Sequence, residues 1–455
     1  MNLLDHFEAL LKAWRPCFRQ QRSWSRALLV GCGLFCGLGR RTITRSIFFR
    51  GKEQQDWTAD YKVFSRSRWK SQDLFGPIFT HGLSEYDAAG PIAIGVDDTA
   101  LPRTGKKIPT AFRQRDPMSP PFHPNLIWAQ RFMQASLLLP LYNLDQESSP
   151  RALPIRFKEA PVPKKPGRKA TPEQLEAYRQ LRKEKNLSRS FVDMVQELRL
   201  RLDEHGYAKR TMLIVGDGSY CNKRTFTPEY DRTQLLARCR KDLCLKKDLA
   251  APEQFTPLEV LKDESIPWKS TRIFYAGAWR DIQYKELQNI FWPRLGKNSR
   301  PLRLLVIKPL PYQRSKNSPR EFREEAFLLC TDSDQLSAEV LLQKYFDRWE
   351  IEVNHHDEKS VLGVGQAQVW NPQSVQKVPE FLVAMYSLLL LAGLNAYGPK
   401  RTSEYQVLPK WRRRAKRPSC LDLLTLLRKQ ILAREDSNQA IPTSDYETMV
   451  LTAAA

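Results

Sequence analysis

Two short apolar runs that each end at an aspartate constrain the fold of this chain most strongly. Residues 92–96, "IAIGV", precede Asp97 and Asp98, and residues 212–216, "MLIVG", precede Asp217. Both runs are short and lack a helical period, which is typical of buried β-strands. We expect each strand to end at its aspartate and a loop to follow, so the two runs predict carboxylates at strand ends.

A helical segment separates the two runs. Thr171 with Gln174 three residues later, and Pro172 at the first helical position, indicate the start of a helix. Gly206 is its expected end, so one helix is predicted between them. Residues 125–141 predict a further strand. A strand, a helical crossover and another strand indicate a parallel or mixed sheet covered by helices, and the fold class is therefore α/β.

Changes in residue pattern divide the chain into five segments. The predicted segments are a helical N-terminal DNA-binding domain at 1–88, a first part of the α/β core at 89–222 with a basic linker at 151–170, a β-rich insertion at 223–335, a second part of the core at 336–397, and a basic C-terminal region at 398–455.

The charge of the chain indicates a polyanionic partner. Lys and Arg number 73 against 50 Asp and Glu, a formal net charge of +23. Neutralising DNA phosphates releases counterions and favours binding of such a chain, whereas an anionic membrane is a weaker alternative. The N-terminus resembles no export signal, and the apolar run that begins at Phe381 predicts a buried core helix rather than a membrane span. Eight cysteines without CxxC spacing indicate reduced thiols, so a cytoplasmic location is expected.

Basic residues mark two candidate DNA-contacting surfaces. Arg41 and Arg45 flank a predicted helix that could start at Thr42, in a helix-turn-helix-like spacing. DNA contact and a solvated helix face both explain these arginines. Lys107, after the first aspartate pair, could track a DNA backbone.

The stretch "YFDRWEIEVNHHDEK" at 345–359 carries an unusual polar stripe. On one regular helix, an arc of about 80° holds the side chains of Tyr345, Arg348, Glu352, His356 and Lys359. Such a stripe is either a salt-bridged surface cluster or an acid held for a metal with cations directed at phosphates.

Three carboxylates separated along the chain favour the metal interpretation. Asp97 and Asp217 end strands, and Glu352 lies on the helix, so together they supply the hard oxygen ligands that Mg²⁺ or Mn²⁺ prefers. Clustered without cations, three carboxylates would repel one another.

The stripe and the two aspartate motifs resemble those of a known enzyme family. Tyr345, Arg348, Glu352 and Lys359 have the spacing of the Tyr-Arg-Glu-Lys signature of bacterial insertion-sequence transposases with the DDE active site. "VDDT" resembles their first-aspartate motif and "GDGSY" their second. The resemblance covers roughly residues 90 to 365.

This resemblance implies a fold and an activity. It implies an RNase H-like core of the retroviral-integrase type with a mostly β insertion, preceded by the N-terminal DNA-binding domain. Asp97, Asp217 and Glu352 would hold two Mg²⁺ or Mn²⁺ ions, with Asp98 as the alternative first acid, while Tyr345, Arg348 and Lys359 would contact phosphates of the DNA end. Trp279 and Trp292 are candidates for displacing a base near the cleaved end.

The implied function is transposition. The enzyme would cleave transposon ends and join their 3′-hydroxyls to target DNA, with double-stranded DNA as its partner, a homodimer on DNA, no membrane and a nucleoid-associated location in the bacterial cytoplasm. The alternative is a catalytically inactive or host-adopted DNA-binding protein derived from a transposase.

Overall fold

The computed structural model describes residues 1–86, 89–116, 119–120, 122–296, 299–312, 318–412 and 415–437. The last eighteen residues of the predicted basic C-terminal region, 438–455, lie outside the described residues.

The strands follow one another through the middle of the chain. They are β1 Ile92–Pro102, β2 Phe112–Arg115, β3 Leu126–Leu139, β4 Arg151–Glu159, β5 Met212–Gly216, β6 Thr233–Arg238, β7 Lys269–Tyr275, β8 Ala278–Ile290, β9 Leu302–Ile307, β10 Pro311–Tyr312, β11 Glu321–Phe322 and β12 Ala326–Cys330.

One mixed sheet of ten described strands organises the molecule. Strand β1 lies inside it, antiparallel to β3 and parallel to β5, while β3 also pairs with β2 and β4 and β5 runs parallel to β6. The sheet continues from β6 through β12, β9, β8 and β7 in antiparallel pairs, and β10 and β11 form a separate ribbon. The α/β prediction is confirmed, and the strands of segment 223–335 extend the same sheet.

Two strand predictions need correction. Strand β1 does not end at the aspartates but continues to Pro102, because its pairing with β3 extends from Ile94 as far as Pro102 opposite Ala129. Residues 151–159, placed in the basic linker, form the buried strand β4 on β3. The residues of this strand from 151 to 157 are all buried, including Arg151 and Arg156. The prediction of a basic linker did not anticipate this burial.

Helices cover both ends of the chain and the crossover. They are α1 Leu3–Lys12, α2 Gln21–Cys36, α3 Ile43–Phe49, α4 Thr58–Ser65, α5 Phe75–Tyr86, α6 Pro172–Glu184, α7 Leu187–Glu204, α8 Lys223–Phe226, α9 Pro257–Lys262, α10 Ala338–Asp347, α11 Trp349–His356, α12 Pro372–Tyr397 and α13 Cys420–Ser437.

Helix α12 is the centre around which the terminal helices pack. It contacts α1, α2, α4, α5 and α13 as well as β4, and Phe381 packs against the rings of Trp14 and Trp69. By length and composition alone it could cross a membrane, but 94% of its most apolar window is buried inside the protein. The prediction of a buried core helix is confirmed.

Local capping signals explain where several helices begin. Thr42 caps α3 by accepting the amide of Arg45, and Thr171 forms the predicted capping box with Gln174. The helix predicted to run on to Gly206 is instead two helices, α6 and α7, because Asn186 interrupts it as the N-cap of α7.

Candidate active site on two parallel strands and a helix

Asp97 and Asp217 lie side by side, Asp97 within β1 and Asp217 directly after the carboxyl end of the parallel strand β5. Val96 of β1 pairs with Gly216 of β5, so the next residue in each segment is the aspartate. Asp217 also caps the short turn that follows, accepting hydrogen bonds from the amide of Ser219 at 2.8 Å and from its hydroxyl at 3.3 Å. This end of an open α/β sheet is where binding sites commonly form.

Gly95 allows helix α11 to pack closely on β1. A Cβ at this position would lie 2.4 Å from Cδ1 of Ile351, closer than any real contact. Neighbouring residues of a strand face opposite sides of the sheet, so Asp97 shares the face of Gly95. Because Gly95 has no side chain, α11 can pack closely on β1. This packing places Glu352, the neighbour of Ile351 in α11, beside Asp97.

Arg348 links the strand acid to the helix acid. Its Nη1 lies 3.3 Å from Oδ2 of Asp97, and its Nη2 lies 3.4 Å from Oε1 of Glu352. The side chains of Asp97 and Arg348 are 16% and 13% exposed, whereas Glu352 is 39% exposed. The site is a shallow, partly buried cleft in which one guanidinium bridges two carboxylates.

The environment of Asp97 opposes its ionisation. Burial, together with the neighbouring charges of Asp217 and Asp98, raises the pKa of Asp97 to about 7, although Arg348 and the amide of Asp98 act in the other direction. A buried carboxylate that is this difficult to ionise is stabilised by any additional cation beside it.

Asp98 faces the other side of the strand. It lies 3.4 Å from Nε of Arg131, and Tyr220 donates its hydroxyl to it at 3.4 Å. Burial is the main cause that raises the pKa of Asp98, with Arg131 opposing and Asp217 adding to the effect. The structure thus separates the two adjacent aspartates, and Asp97 is the one beside Glu352.

The stretch 345–359 is not the single regular helix of the prediction. Helix α10 ends at Asp347, α11 runs from Trp349 to His356, and Asp357–Val361 forms a π-helical turn. The wider turn changes the direction of Lys359 relative to a regular wheel. The charges of Lys359 and Asp97 still interact. Burial lowers the pKa of Lys359.

The two histidines of the stretch have opposite environments. His355 is buried, and burial, assisted by Lys359 and Arg348, lowers its pKa to about 3, so it is neutral. His356, which the regular wheel placed in the polar stripe, has a side chain 69% exposed and lies 3.4 Å from Asp357.

A cavity of about 630 Å³ adjoins Glu352 on the side of the β-rich segment. Tyr345, Arg348 and Glu352 line it, as do the rings of Tyr275 and Tyr312. Three of the four residues of the Tyr-Arg-Glu-Lys signature therefore line one cavity.

The tryptophans proposed from the resemblance lie elsewhere. Trp292 is buried against Phe226, and the indole of Trp279 donates to the carbonyl of Gln146. Trp279 lines a different cavity with the first residues of β1, Ile92 and Ala93. Neither reaches the candidate site in this structure.

The other predicted DNA-contacting residues, Arg41, Arg45 and Lys107, differ in their exposure to solvent. Arg45 and Lys107 are exposed, but Arg41 is only 7% exposed and donates to the carbonyl of Val361 in the π-helical turn. This hydrogen bond attaches Arg41 to the π-helical turn, a contact that the sequence did not predict.

Sequence analysis missed Gly95, Arg131 and Tyr220. An isolated glycine inside a strand pattern is a signal of close approach and could have indicated Gly95. Arg131 and Tyr220 carry no such signal, because their contact with Asp98 depends on strand register and on the turn after β5.

Within the described ranges, no set of three or more His, Cys, Asp or Glu side chains is arranged to enclose a metal ion. The cation that the structure places between Asp97 and Glu352 is the guanidinium of Arg348.

The scan against protein-family models finds no matching model, and the search of curated proteins finds no matching sequence.

Proposed function

We propose that this chain is a DNA transposase of the DDE type, which cleaves the ends of a mobile element and joins the resulting 3′-hydroxyls to target DNA. Its substrates would be the terminal inverted repeats of the element and a target duplex. Two copies would hold the two ends, in the bacterial cytoplasm on nucleoid DNA. The net charge of +23 supports a polyanionic substrate of this kind.

The strand order supports an RNase H-like core. Strands β4, β3 and β1 are successive antiparallel neighbours, and β5 and β6 add parallel strands on the other side of β1. An RNase H-like sheet has this sequence of directions, with its acids around the central strand.

The observation that carries the proposal is that Arg348 links two acids from distant parts of the chain, one of which has a third acid as its neighbour in the sheet. Asp97 and Asp217 are neighbours through strand register, and Arg348 ties Asp97 to Glu352, 255 positions further along. The donor chemistry suits Mg²⁺ or Mn²⁺, since all three ligands are carboxylates and the raised pKa of Asp97 marks a place where positive charge is favourable.

Asp97, Asp217 and Glu352 would hold two divalent ions. Bound there, such ions supply charge that stabilises the attacking and leaving oxygens of a phosphodiester. Arg348 would then exchange its carboxylate partners for DNA phosphate, to which a guanidinium binds in the same forked manner.

The remaining signature residues would position the strand. Lys359 offers a point charge beside Asp97, and Tyr345 offers a ring and a hydroxyl in the cavity that Glu352 lines. Positioning of this kind is a major source of rate enhancement when reacting groups are fixed in line.

Cleavage by carboxylate variants tests the proposal. DNA carrying the sequences that flank the reading frame is incubated with Mg²⁺ and the wild type, Asp217→Asn or Glu352→Gln. We expect cleavage by the wild type alone, and equal DNA binding by all three proteins in a gel-shift assay with EDTA. Asp231→Asn is the matched control, because this exposed acid pairs with Arg232 just before β6, at the edge of the sheet opposite to Asp217.

Two results would contradict the proposal. Cleavage by Glu352→Gln at the rate of the control would remove Glu352 from catalysis. A wild type that binds the flanking DNA but never cleaves it would instead favour the inactive DNA-binding alternative. Joined product in the presence of a target plasmid distinguishes a transposase from a nuclease.

A further inference from the structure

A further cavity has Lys359 in its wall. Its volume is about 750 Å³, and residues 102–108 after β1 and residues 364–370 before α12 form its walls, together with Arg40 and Lys359. We call it the Lys359 cavity.

The Lys359 cavity is lined by positive charge. Arg40, Arg103, Lys106, Lys107 and Lys359 contribute five cations, and the described residues that line it include no carboxylate. Acids outside the lining lie near two of these cations, Asp97 near Lys359 and Glu159 near Arg103. The excess of positive charge that remains favours binding of an anion.

Arg103 provides a second and independent observation, because it lines the Lys359 cavity and has one unsatisfied hydrogen-bond donor. It is 7% exposed, and its guanidinium donates to Oε1 of Gln130 at 2.7 Å and to the carbonyls of Gly365 and Ala367. Its Nη2, however, is buried and has no hydrogen-bond partner. A buried charged donor without a partner is costly, and a phosphate oxygen would satisfy it.

Trp370 distinguishes a nucleic-acid strand from a small anion. Its side chain is 71% exposed at the cavity, immediately before Asn371, which caps helix α12. A large ring left in solvent beside converging cations is the combination that binds single strands, through base stacking and backbone charge.

Lys359 connects the Lys359 cavity to the candidate active site. It lines the cavity and also lies close enough to Asp97 to interact with its charge. A strand bound in the cavity would therefore continue towards the carboxylates.

From these observations we infer that the Lys359 cavity binds an unpaired segment of a DNA strand, with phosphates at Arg103, Lys106 and Lys107 and a base against Trp370. The inference rests on the proposed function only in taking DNA as the ligand. It adds a binding site that the Tyr-Arg-Glu-Lys resemblance does not supply.

Binding of a labelled eight-nucleotide single strand to the whole protein in EDTA tests the inference, since no cleavage is then required. Trp370→Ala should weaken binding roughly 5- to 150-fold, the effect of losing one stacked base. Trp411→Ala is the matched control, because Trp411 is 86% exposed and does not line the cavity. Thermal melting checks that both variants fold.

The charge contribution is measured through salt dependence. The double variant Lys106→Gln/Lys107→Gln should lower the slope of log affinity against log salt by about 1.4, which corresponds to two lost phosphate contacts on a single strand. The pair Lys247→Gln/Lys262→Gln removes two exposed lysines elsewhere and should leave the slope unchanged.

Several outcomes would overturn the inference. Wild-type affinity in Trp370→Ala, or an equal loss in Trp411→Ala, removes the stacking role. Competition by inorganic pyrophosphate at the same phosphate concentration reduces the cavity to a small-anion site, and competition by a duplex of equal length makes it a duplex site.

Failure of the proposed function would look different. If Glu352→Gln still cleaved DNA while Trp370→Ala lost the single strand, the catalytic assignment would fail and this inference would stand. If Glu352→Gln lost cleavage while Trp370→Ala bound the single strand as tightly as the wild type, the catalytic assignment would stand and this inference would fail.

Discussion

Ile351 occupies the space that a side chain at position 95 would need. A Cβ built on Gly95 would lie 2.4 Å from Cδ1 and 3.3 Å from Cγ1 of Ile351. Through this contact the strand that carries Asp97 sets the position of the helix that carries Glu352.

This contact predicts that one added methyl group at position 95 destabilises the protein. Gly95→Ala should lower the free energy of unfolding by about 1–3 kcal/mol, as overpacking does, and should reduce DNA cleavage because α11 must move away from Asp97. Urea unfolding measures the first effect and end cleavage the second. Gly76→Ala is the control, since no atom lies within 4 Å of its added Cβ in helix α5, and it should be neutral or slightly stabilising. Equal stability of the two variants would contradict the assigned contact.

Replacing Asp97 should reduce DNA cleavage more than replacing the adjacent Asp98. Asp97→Asn should abolish cleavage, because Asp97 shares Arg348 with Glu352. Asp98→Asn should retain cleavage with a loss on the order of 10-fold, the usual effect of a supporting residue, since it contacts Arg131 and Tyr220 on the other face. Single-turnover cleavage of end-containing DNA measures both rates. The reverse order of losses would make Asp98 the first acid.

Neutral His355 predicts a pH-dependent stability. Its pKa is lowered to about 3 in the folded protein, whereas an unfolded histidine titrates near pH 6.5. Below pH 6.5 the unfolded state binds a proton that the folded state does not, so His355 destabilises the fold as the pH falls towards 3. His355→Gln should therefore gain about 1–2 kcal/mol relative to the wild type between pH 7.5 and pH 5.

Urea unfolding at several pH values measures this difference. His123→Gln serves as the control, because this histidine is exposed in the loop before β3. Parallel stability curves for His355→Gln and the wild type would show that the histidine is not held neutral.

The turn that carries Lys359 predicts a further pair of variants. Gly363 and Gly51 both have φ of +61°, but a Cβ at Gly363 would lie 2.5 Å from Oε1 of Gln366 and 2.7 Å from Cγ of Arg41, whereas Gly51 has no atom within 4 Å. Gly51→Ala should cost about 1 kcal/mol from backbone conformation alone. Gly363→Ala should cost a further ~1–3 kcal/mol from crowding. Thermal and urea unfolding compare the two, and equal losses would refute the role of Arg41 in holding the turn.

Local signals in the sequence predicted much of the secondary structure. The apolar runs at 92–96 and 212–216 form strands, and the caps at Thr42 and Thr171 begin helices, because these features depend on residues within one or two turns. The strand at 151–159 was missed because its two buried arginines have partners far along the chain, the carbonyl of Pro418 for Arg151 and Glu197 for Arg156.

The sequence by itself determined the basic charge, the α/β class, the buried nature of α12 and the spacing of the residues at 345–359. These follow from composition, periodicity and capping, which act over short distances along the chain. Only the tertiary structure decided which face of β1 each aspartate occupies, that Arg348 bridges Asp97 and Glu352, and that the cations near Lys359 surround a cavity. Strand register and the packing of α11 over Gly95 fix these relationships. The register of β1 with β3 joins residues 27 to 43 positions apart, and the packing joins Gly95 to Ile351, 256 positions apart, beyond the reach of local sequence signals.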